Sequence, residues 1–238
     1  MGQGIQQAPV QQNGGNAFAN VFKVLLEPTA VFESVRAKPS LLAPYLVIMA
    51  AQVILFFVNL PILRVAIKAQ MANAPAGRPA PSDAMLMVFG IVGLIVVLTI
   101  IFVLSGLILW MLSSILGGGE AKFSTMLSVT LYSAIPAAVL LSIVGTIVIH
   151  LQGTGNITSP QDMQPALGLD LLAPGAKGFV GAVLKGINPF SIWSLALTAI
   201  GVSVTQRIAK SSGWTIAGAS FVISLIIGGA LAAVFNRG

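Results

Sequence analysis

Residues 84–116, AMLMVFGIVGLIVVLTIIFVLSGLILWMLSSIL, contain no Asp, Glu, Lys or Arg. A helix needs about 20 mostly apolar residues to cross a hydrocarbon core of roughly 30 Å, so this stretch can span a membrane and must tilt or project beyond it. Four further stretches without a charged residue lie before and after it. The sequence therefore predicts an all-α fold, a polytopic membrane helical bundle with five transmembrane helices at roughly 41–63, 84–116, 125–149, 189–206 and 214–235.

The composition excludes several other classes of protein. The 238 residues are 56% hydrophobic and 8% charged, whereas about 25% of a soluble domain is charged. The net charge of +6 comes from basic residues scattered at span ends, a pattern typical of a membrane rim and not of a nucleic-acid interface. Cysteine is absent, so the chain can form no disulfide, thiolate metal site or thiol nucleophile.

The chain divides into a disordered polar tail, residues 1–16, and one membrane domain, residues 17–238. The tail is rich in Gln, Gly and Asn, a composition that cannot bury enough apolar surface to fold. The domain begins with two short N-terminal amphipathic helices, the second starting at Pro28 and ending before Pro39. We expect them either to lie in the headgroup region or to pack on the end of the bundle, as a collar in both cases. Their apolar positions are Phe18, Val21, Phe22, Leu25 and Leu26 in the first and Val31, Phe32 and Val35 in the second.

The first span carries two side-chain amides, Gln52 and Asn59, seven residues apart and so on one helical face. An amide in hydrocarbon needs a partner, so this intramembrane polar face is predicted to point into the bundle. A structural hydrogen bond to another helix is the favoured role, and a contact to a substrate is the alternative. Pro61 and Arg64 are expected to mark the end of this span.

The third span contains a proline, Pro136, well inside a helical pattern. Proline removes one backbone hydrogen bond and crowds the carbonyl four residues earlier, at Tyr132, so a kink is predicted near Tyr132–Ser133. His150, the single histidine, stands at the far end of this span and is expected to act as an anchor or cap.

Small residues recur along one face of three helices, a pattern that lets helix backbones approach closely in membranes. In the second span the repeat is every seven residues, at Thr99, Gly106 and Ser113. The predicted packing faces of the last two spans are Ser194, Thr198, Gly201 and Thr205, and Ser220, Ser224, Gly228 and Ala232.

Three segments resemble the Yip (Ypt-interacting protein) family of five-span membrane proteins, in its prokaryotic branch. They are LLEPTAVFESVRAKPS (25–40), GGGEAKFSTMLSVTLYSAIP (117–136) and NPFSIWSLALTAIGV (188–202). The Tyr132-x-x-x-Pro136 spacing after Lys122-Phe123 looks like the family's mark, whereas the Asp-Leu-Tyr-Gly-Pro motif of eukaryotic members is missing. The resemblance implies a five-span fold and a non-enzymatic protein that works through other proteins or lipids. The Rab/Ypt trafficking role of the eukaryotic members is not carried over.

The charged residues argue against catalysis. The six acids are spread over five segments without ligand or dyad spacing, so no enzyme site, metal site or cofactor site is predicted. Spans without ionisable residues also exclude most ion-coupled transport. We therefore predict a membrane-organising or partner-binding protein, whose partners are the bilayer and a membrane protein or a second copy, with no nucleic acid and no small-molecule substrate identified. The alternative is a passive channel or carrier for a neutral solute or lipid, lined by residues such as Gln52, Asn59, Thr99 and Ser142.

The predicted location is a prokaryotic cytoplasmic membrane. The basic residues are divided equally between the two sides, and the two short loops each hold lysine. Short loops follow the positive-inside rule better than long ones, which favours a cytoplasmic N-terminus.

Overall fold

The computed structural model describes residues 16–72, 82–118, 120–155 and 157–235. Within these ranges the chain is mostly helical and contains no β-strand, which confirms the all-α helical bundle. The predicted tail lies outside the described residues except for Asn16, which is ordered here and accepts a hydrogen bond from the Phe18 amide as the N-cap of the first helix. The α-helices are α1 (Ala17–Lys23), α2 (Pro28–Ala37), α3 (Leu42–Ala72), α4 (Asp83–Leu116), α5 (Phe123–Ser133), α6 (Leu141–Gln152), α7 (Gly178–Gly186), α8 (Pro189–Gln206) and α9 (Lys210–Phe235).

Three of these helices, α3, α4 and α9, are long and apolar enough to cross a membrane as single elements. Two more candidate spans are bent pairs. One joins α5 to residues Pro136–Gln152 at an angle of 41°, and the other joins α7 to α8 at 64°. Counting each bent pair once gives the five spans that the sequence predicts.

The first span differs from its predicted length. Pro61 and Arg64 were expected to end it, but α3 continues to Ala72 with Pro61 inside the helix. Arg64, in this additional part of the helix, forms an ion pair with Asp83 at the start of α4 (Nη2–Oδ2 3.1 Å). Both partners are well exposed, so this pair contributes little to stability.

Helices α1 and α2, which we call the collar, pack into one end of the bundle. Val21, Val24, Val31, Phe32 and Val35 are all at most 2% exposed, within the main hydrophobic core. Pro28 occupies the first turn of α2, and Lys38, the residue before Pro39, is extended and ends it, as steric crowding before proline requires.

The two ends of the bundle differ in packing. The end that holds the collar contains most of the main core, to which α3, α4, α5, α8 and α9 contribute. The opposite end holds the connector, residues 153–177, with 3-10 turns at Pro160–Met163 and Leu169–Leu172. A smaller apolar cluster of Ile62, Ala66, Ile149 and Ile157 lies at this connector end.

Candidate functional site

The third span bends at Pro136. Helix α5 ends at Ser133, and residues Pro136–Leu140 form a π-helical turn before α6. The proline ring has no N–H and crowds the preceding turn, so neighbouring backbone groups lose their regular partners. Prolines and π-turns are recognised causes of sharp bends, and both are present here.

Two neighbouring helices supply partners for the backbone at this bend. Ser194 of α8 accepts a hydrogen bond from the Ala137 amide (3.2 Å). Gln52 of α3 donates from Nε2 to the Ala138 carbonyl and to the Ser142 hydroxyl, the latter at 3.0 Å. Within a membrane, backbone groups that lose their helical partners are satisfied by neighbouring helices or nearby side chains, and here α3 and α8 both supply hydrogen bonds to the bend.

Tyr132 connects the same bend to the collar. Its side chain is fully buried, and its hydroxyl donates to the Ala17 carbonyl at the start of α1 (3.1 Å). Two further polar contacts fix the collar. Asn20 donates to Ser34 across α1 and α2 (3.0 Å), and Arg36 donates to the Val204 carbonyl near the end of α8 (3.3 Å).

The second amide of the first span contacts the other half of the bent span. Asn59 donates from Nδ2 to Thr146 of α6 (2.9 Å). Gln52, Asn59, Ser142 and Thr146 also line a cavity of about 570 Å³ between α3, α4, α6 and the connector. Thr99, expected beside them, lies elsewhere and shares a hydrogen bond with the hydroxyl of Tyr45 (2.8 Å).

The small-residue face of α8 is divided. Gly201 is buried so closely that a Cβ atom built there would lie 2.6 Å from Val129 Cγ1 and 3.0 Å from the Phe32 ring. Thr205 is also buried, with its hydroxyl on the Gly201 carbonyl (2.7 Å). Ser194 and Thr198, nearer the connector end, are half-buried instead and line a groove.

The face predicted for α9 needs correction. Ser224 and Gly228 are exposed, and a Cβ atom on Gly228 would meet nothing within 4 Å. Ser220 and Ala232 are half-buried. The glycine in close contact is the adjacent Gly229, where a Cβ would lie 2.7 Å from the ring of Phe179 on α7. Helix α7 was not predicted. It packs against a side of α9 that lies outside the four-residue repeat.

The groove between α4, α5, α8 and α9 has a volume of about 240 Å³. Ser194 and Thr198 line it from α8, and Ser220 and Ser224 line it from α9. These parts of the two predicted packing faces are therefore separated by the groove and are not in contact. Ser133 also lines it, and its buried hydroxyl has no hydrogen-bond partner among the described residues.

The sequence reasoning missed the polar residues that the connector and α7 bring to the large cavity. These are Gln164, Asp170, Lys185 and Asn188. Asn188 begins α8 as a capping box with Ser191, and its Asn-Pro-x-Ser sequence was a readable start signal. Asp170 stands in an apolar run, GLDLL, and an acid in such a run was the available signal for a buried charge.

The helices, their apolar surfaces and the polar contacts buried between them define the class: a polytopic α-helical integral membrane protein. The Yip1 domain family matches residues 22–232. The chain therefore belongs to the Yip1 domain family. Among curated proteins it is similar to "Membrane protein YknW" from Bacillus subtilis (strain 168), with 28% identity over 214 residues that cover 86% of this chain and 87% of the relative. No solved structure matches it.

Proposed function

We propose that this protein is a non-enzymatic membrane-organising protein that acts through its collar, with the N-terminus on the cytoplasmic side. The observation that carries the proposal is an apolar stripe on the outer side of α1 and just after it. Phe18, Phe22 and Leu26 are 49%, 67% and 86% exposed. They follow one another at four-residue spacing, which places them on one side of the segment.

The inner side of the collar is fixed while this stripe is free. Val21 and Val24 are fully buried in the core, and the hydrogen bonds of Tyr132 and Arg36 attach the collar to α5 and α8. A stripe held in this way projects three apolar side chains at the rim of the bundle. Such a segment is suited to enter the headgroup region of one leaflet as a wedge.

Charge near the collar supports the same role. Lys23 lies in the last turn of α1, next to Phe22, and the turns at this end of the bundle add basic residues. Basic residues close to an anionic leaflet contribute attraction of about 1 kcal/mol each. The basic residues of this end are Lys23, Arg36, Lys38, Lys122, Arg207 and Lys210.

A single-cysteine label tests the wedge directly, because the native chain has no cysteine. Phe22→Cys, carrying an environment-sensitive fluorophore in reconstituted vesicles, should emit as from an apolar medium and be quenched by spin-labelled lipids. Glu33→Cys, on the exposed side of α2, is the matched control and should report water. Equal quenching of the two labels by aqueous iodide would sink the proposal.

The organising activity needs its own measurement. Wild-type protein at increasing density should change the size or shape of vesicles seen by electron cryomicroscopy, and Phe18→Ser, Phe22→Ser and Leu26→Ser together should abolish the change. Leu151→Ser with Leu172→Ser, two exposed leucines at the connector end, is the control. Photo-crosslinking from position 22 in cells should capture lipid. Capture of a stoichiometric protein would show that the stripe binds a partner protein and does not act as a wedge in the leaflet.

A second candidate function, a passive carrier for a lipid or neutral solute, is favoured by the cavity beside Gln52 and Asn59. Gln52→Leu and Asn59→Leu distinguish the two candidates. Under the leading proposal they lower stability only, by about 0.5–2 kcal/mol for each lost hydrogen bond. Changed flux of solute or labelled lipid through vesicles, at unchanged protein amount, would support the carrier instead.

A further inference from the structure

The cavity at the connector end has the dimensions of a ligand site. Its volume is about 570 Å³, within the range of roughly 300–1,000 Å³ found for small-molecule pockets. Along α3 it extends from Gln52 to Leu63, a depth of about 16 Å at 1.5 Å per residue. Its lining is mostly apolar, with Phe56, Leu94 and Leu141 beside the amide of Gln52, and the connector end adds polar residues.

A buried carboxylate at the connector end of the cavity is only half satisfied. Asp170 is 8% exposed. Its Oδ1 accepts a hydrogen bond from the Gly168 amide (2.9 Å), whereas Oδ2 has no partner among the described residues. Leaving a buried charged oxygen unpaired is costly. Since Asp170 lines the cavity, a hydrogen-bond donor inside the cavity would remove this cost.

The remaining polar groups set the charge pattern of the cavity. The Oδ1 atom of Asn59 is a second buried acceptor without a partner in the described chain. Lys185 is exposed at the connector end, with Nζ 3.5 Å from the Gln164 carbonyl. Across the described ranges the one ion pair joins Arg64 to Asp83, so Lys185 and Asp170 form no ion pair with each other. The cavity thus presents two buried acceptors without partners, an ammonium group and a mostly apolar lining.

From these groups we infer that the cavity binds an amphiphile whose headgroup carries a primary ammonium and a phosphate, as in an ethanolamine phospholipid. The ammonium donates to Asp170 Oδ2, the phosphate lies against Lys185, and an acyl chain lies along Phe56 and Leu94. Charge-assisted hydrogen bonds of this kind are stronger than neutral ones. This site is independent of the collar role. It gives the carrier candidate a ligand. Because equilibrium binding and flux are measured separately, the binding site and the carrier role can each be disproved without the other.

A series of lipid headgroups tests the inference on the wild-type chain. Purified full-length protein in detergent is titrated with phosphatidylethanolamine, phosphatidylcholine and phosphatidylglycerol, and bound lipid is counted by native mass spectrometry. We expect the ethanolamine lipid to bind about tenfold more tightly than the choline lipid, whose ammonium has no N–H, because charge-assisted hydrogen bonds are lost. The glycerol lipid, which has no cation, should bind at least as weakly as the choline lipid. Equal binding of all three would overturn the inference.

Matched variants assign the effect to the cavity. Asp170→Asn keeps the side-chain shape and the oxygen that meets Gly168, and it should reduce ethanolamine-lipid binding about tenfold, since it removes the charge. Asp162→Asn is the control, because that carboxylate in the same connector is already used by Thr158 and Ser159. Lys185→Gln should weaken binding of every phosphate-bearing lipid. Equal losses in the Asp170 and Asp162 variants would contradict the assignment.

Competition distinguishes a membrane lipid from a soluble source of the same headgroup. Glycerophosphoethanolamine, which lacks acyl chains, is added in excess to the lipid-bound protein. Failure to displace the lipid supports a bilayer ligand that also uses the apolar lining. Displacement by glycerophosphoethanolamine at concentrations similar to that of the lipid would show that the headgroup alone is recognised. It would overturn the role given to the acyl chain.

Discussion

Helices α8 and α9 carry similar rows of small residues, yet the rows do different things at the two ends of the bundle. Near the collar, Gly201 meets Val129 and Phe32 in close contact, and Gly213 of α9 lies against Ser203 of α8. Towards the connector the same two helices separate around a groove, and Gly228 touches nothing. The turn between them is fixed at Arg207, which has a left-handed conformation (φ 54°).

This difference teaches that a small-residue row permits close approach and does not require it. Near the collar, the row of α8 packs at Gly201 directly against α2 and α5. Nearer the connector, the third span also contacts α8 through the Ala137–Ser194 hydrogen bond, yet a groove remains between the hydroxyl-bearing rows of α8 and α9. Helix α7 packs on α9 at Gly229, away from its row of small residues.

The largest expected effect comes from filling the two glycine positions that contrast most. Gly201→Leu must displace Val129 and Phe32, so we expect a loss of about 3 kcal/mol or failure to fold, at the upper end of overpacking costs. Gly228→Leu has open space and should change stability by less than about 0.5 kcal/mol. Unfolding in mixed detergent micelles measures both. Similar losses in the two variants would remove the contrast between the ends.

A moderate effect should come from Ser194, the α8 hydroxyl that serves the bend of the third span. Ser194→Ala leaves the Ala137 amide without its partner, and the expected cost is about 1–2 kcal/mol. In a Pro136→Ala background the helix can become regular, so Ala137 can pair within its own chain and the same substitution should cost almost nothing. A double-mutant cycle measures this coupling, and additive losses would mean that Ser194 does not serve the bend.

A smaller effect is expected where the collar meets the third span. Tyr132→Phe removes the hydrogen bond to the Ala17 carbonyl and should cost about 1 kcal/mol. Hydrogen exchange of the α1 amides should rise while α9 is unaffected. Tyr45→Phe is the control, since the bond it loses is to Thr99 of α4 and not to the collar. If the control loosens α1 equally, Tyr132 has no special part in holding it.

The smallest effect concerns pH at the connector. Hydrogen bonds from the hydroxyl and amide of Thr158, and then of Ser159, hold the pKa of the Asp162 carboxyl below its ordinary value. A lowered folded-state pKa contributes stability above the unfolded pKa of about 3.9 and loses it as pH falls through the folded pKa. Protection of the Thr158 and Ser159 amides should therefore hold from neutral pH to about pH 5 and fall only below about pH 4. Asp162→Asn should show low protection throughout, and a wild-type loss above pH 5 would contradict this.

The fold was predictable because its signals are local. The charge-free stretches and Pro28 determine helices without reference to partners, and the five spans follow from length alone. Contacts between helices that are distant in sequence were harder to predict. Gly228 fits the four-residue repeat of small residues and Gly229 does not, yet the position of α7 makes Gly229 the glycine in close contact. The apolar run around Asp170 indicated burial but not its surroundings, since its turn packs against α7, which no periodicity predicted.

The attachment of the collar has a consequence for synthesis. Residues 17–37 are synthesised before two of their hydrogen-bond partners, Tyr132 and Val204, which lie 115 and 168 residues further along the chain than Ala17 and Arg36. At about 5–20 residues per second, the second partner arrives roughly 10–30 s later. During that interval the buried side of α1 and α2 has no bundle to enter, so the nascent chain must rest that side on the bilayer surface or on an insertion factor. The collar can therefore dock completely only after α8 has been synthesised.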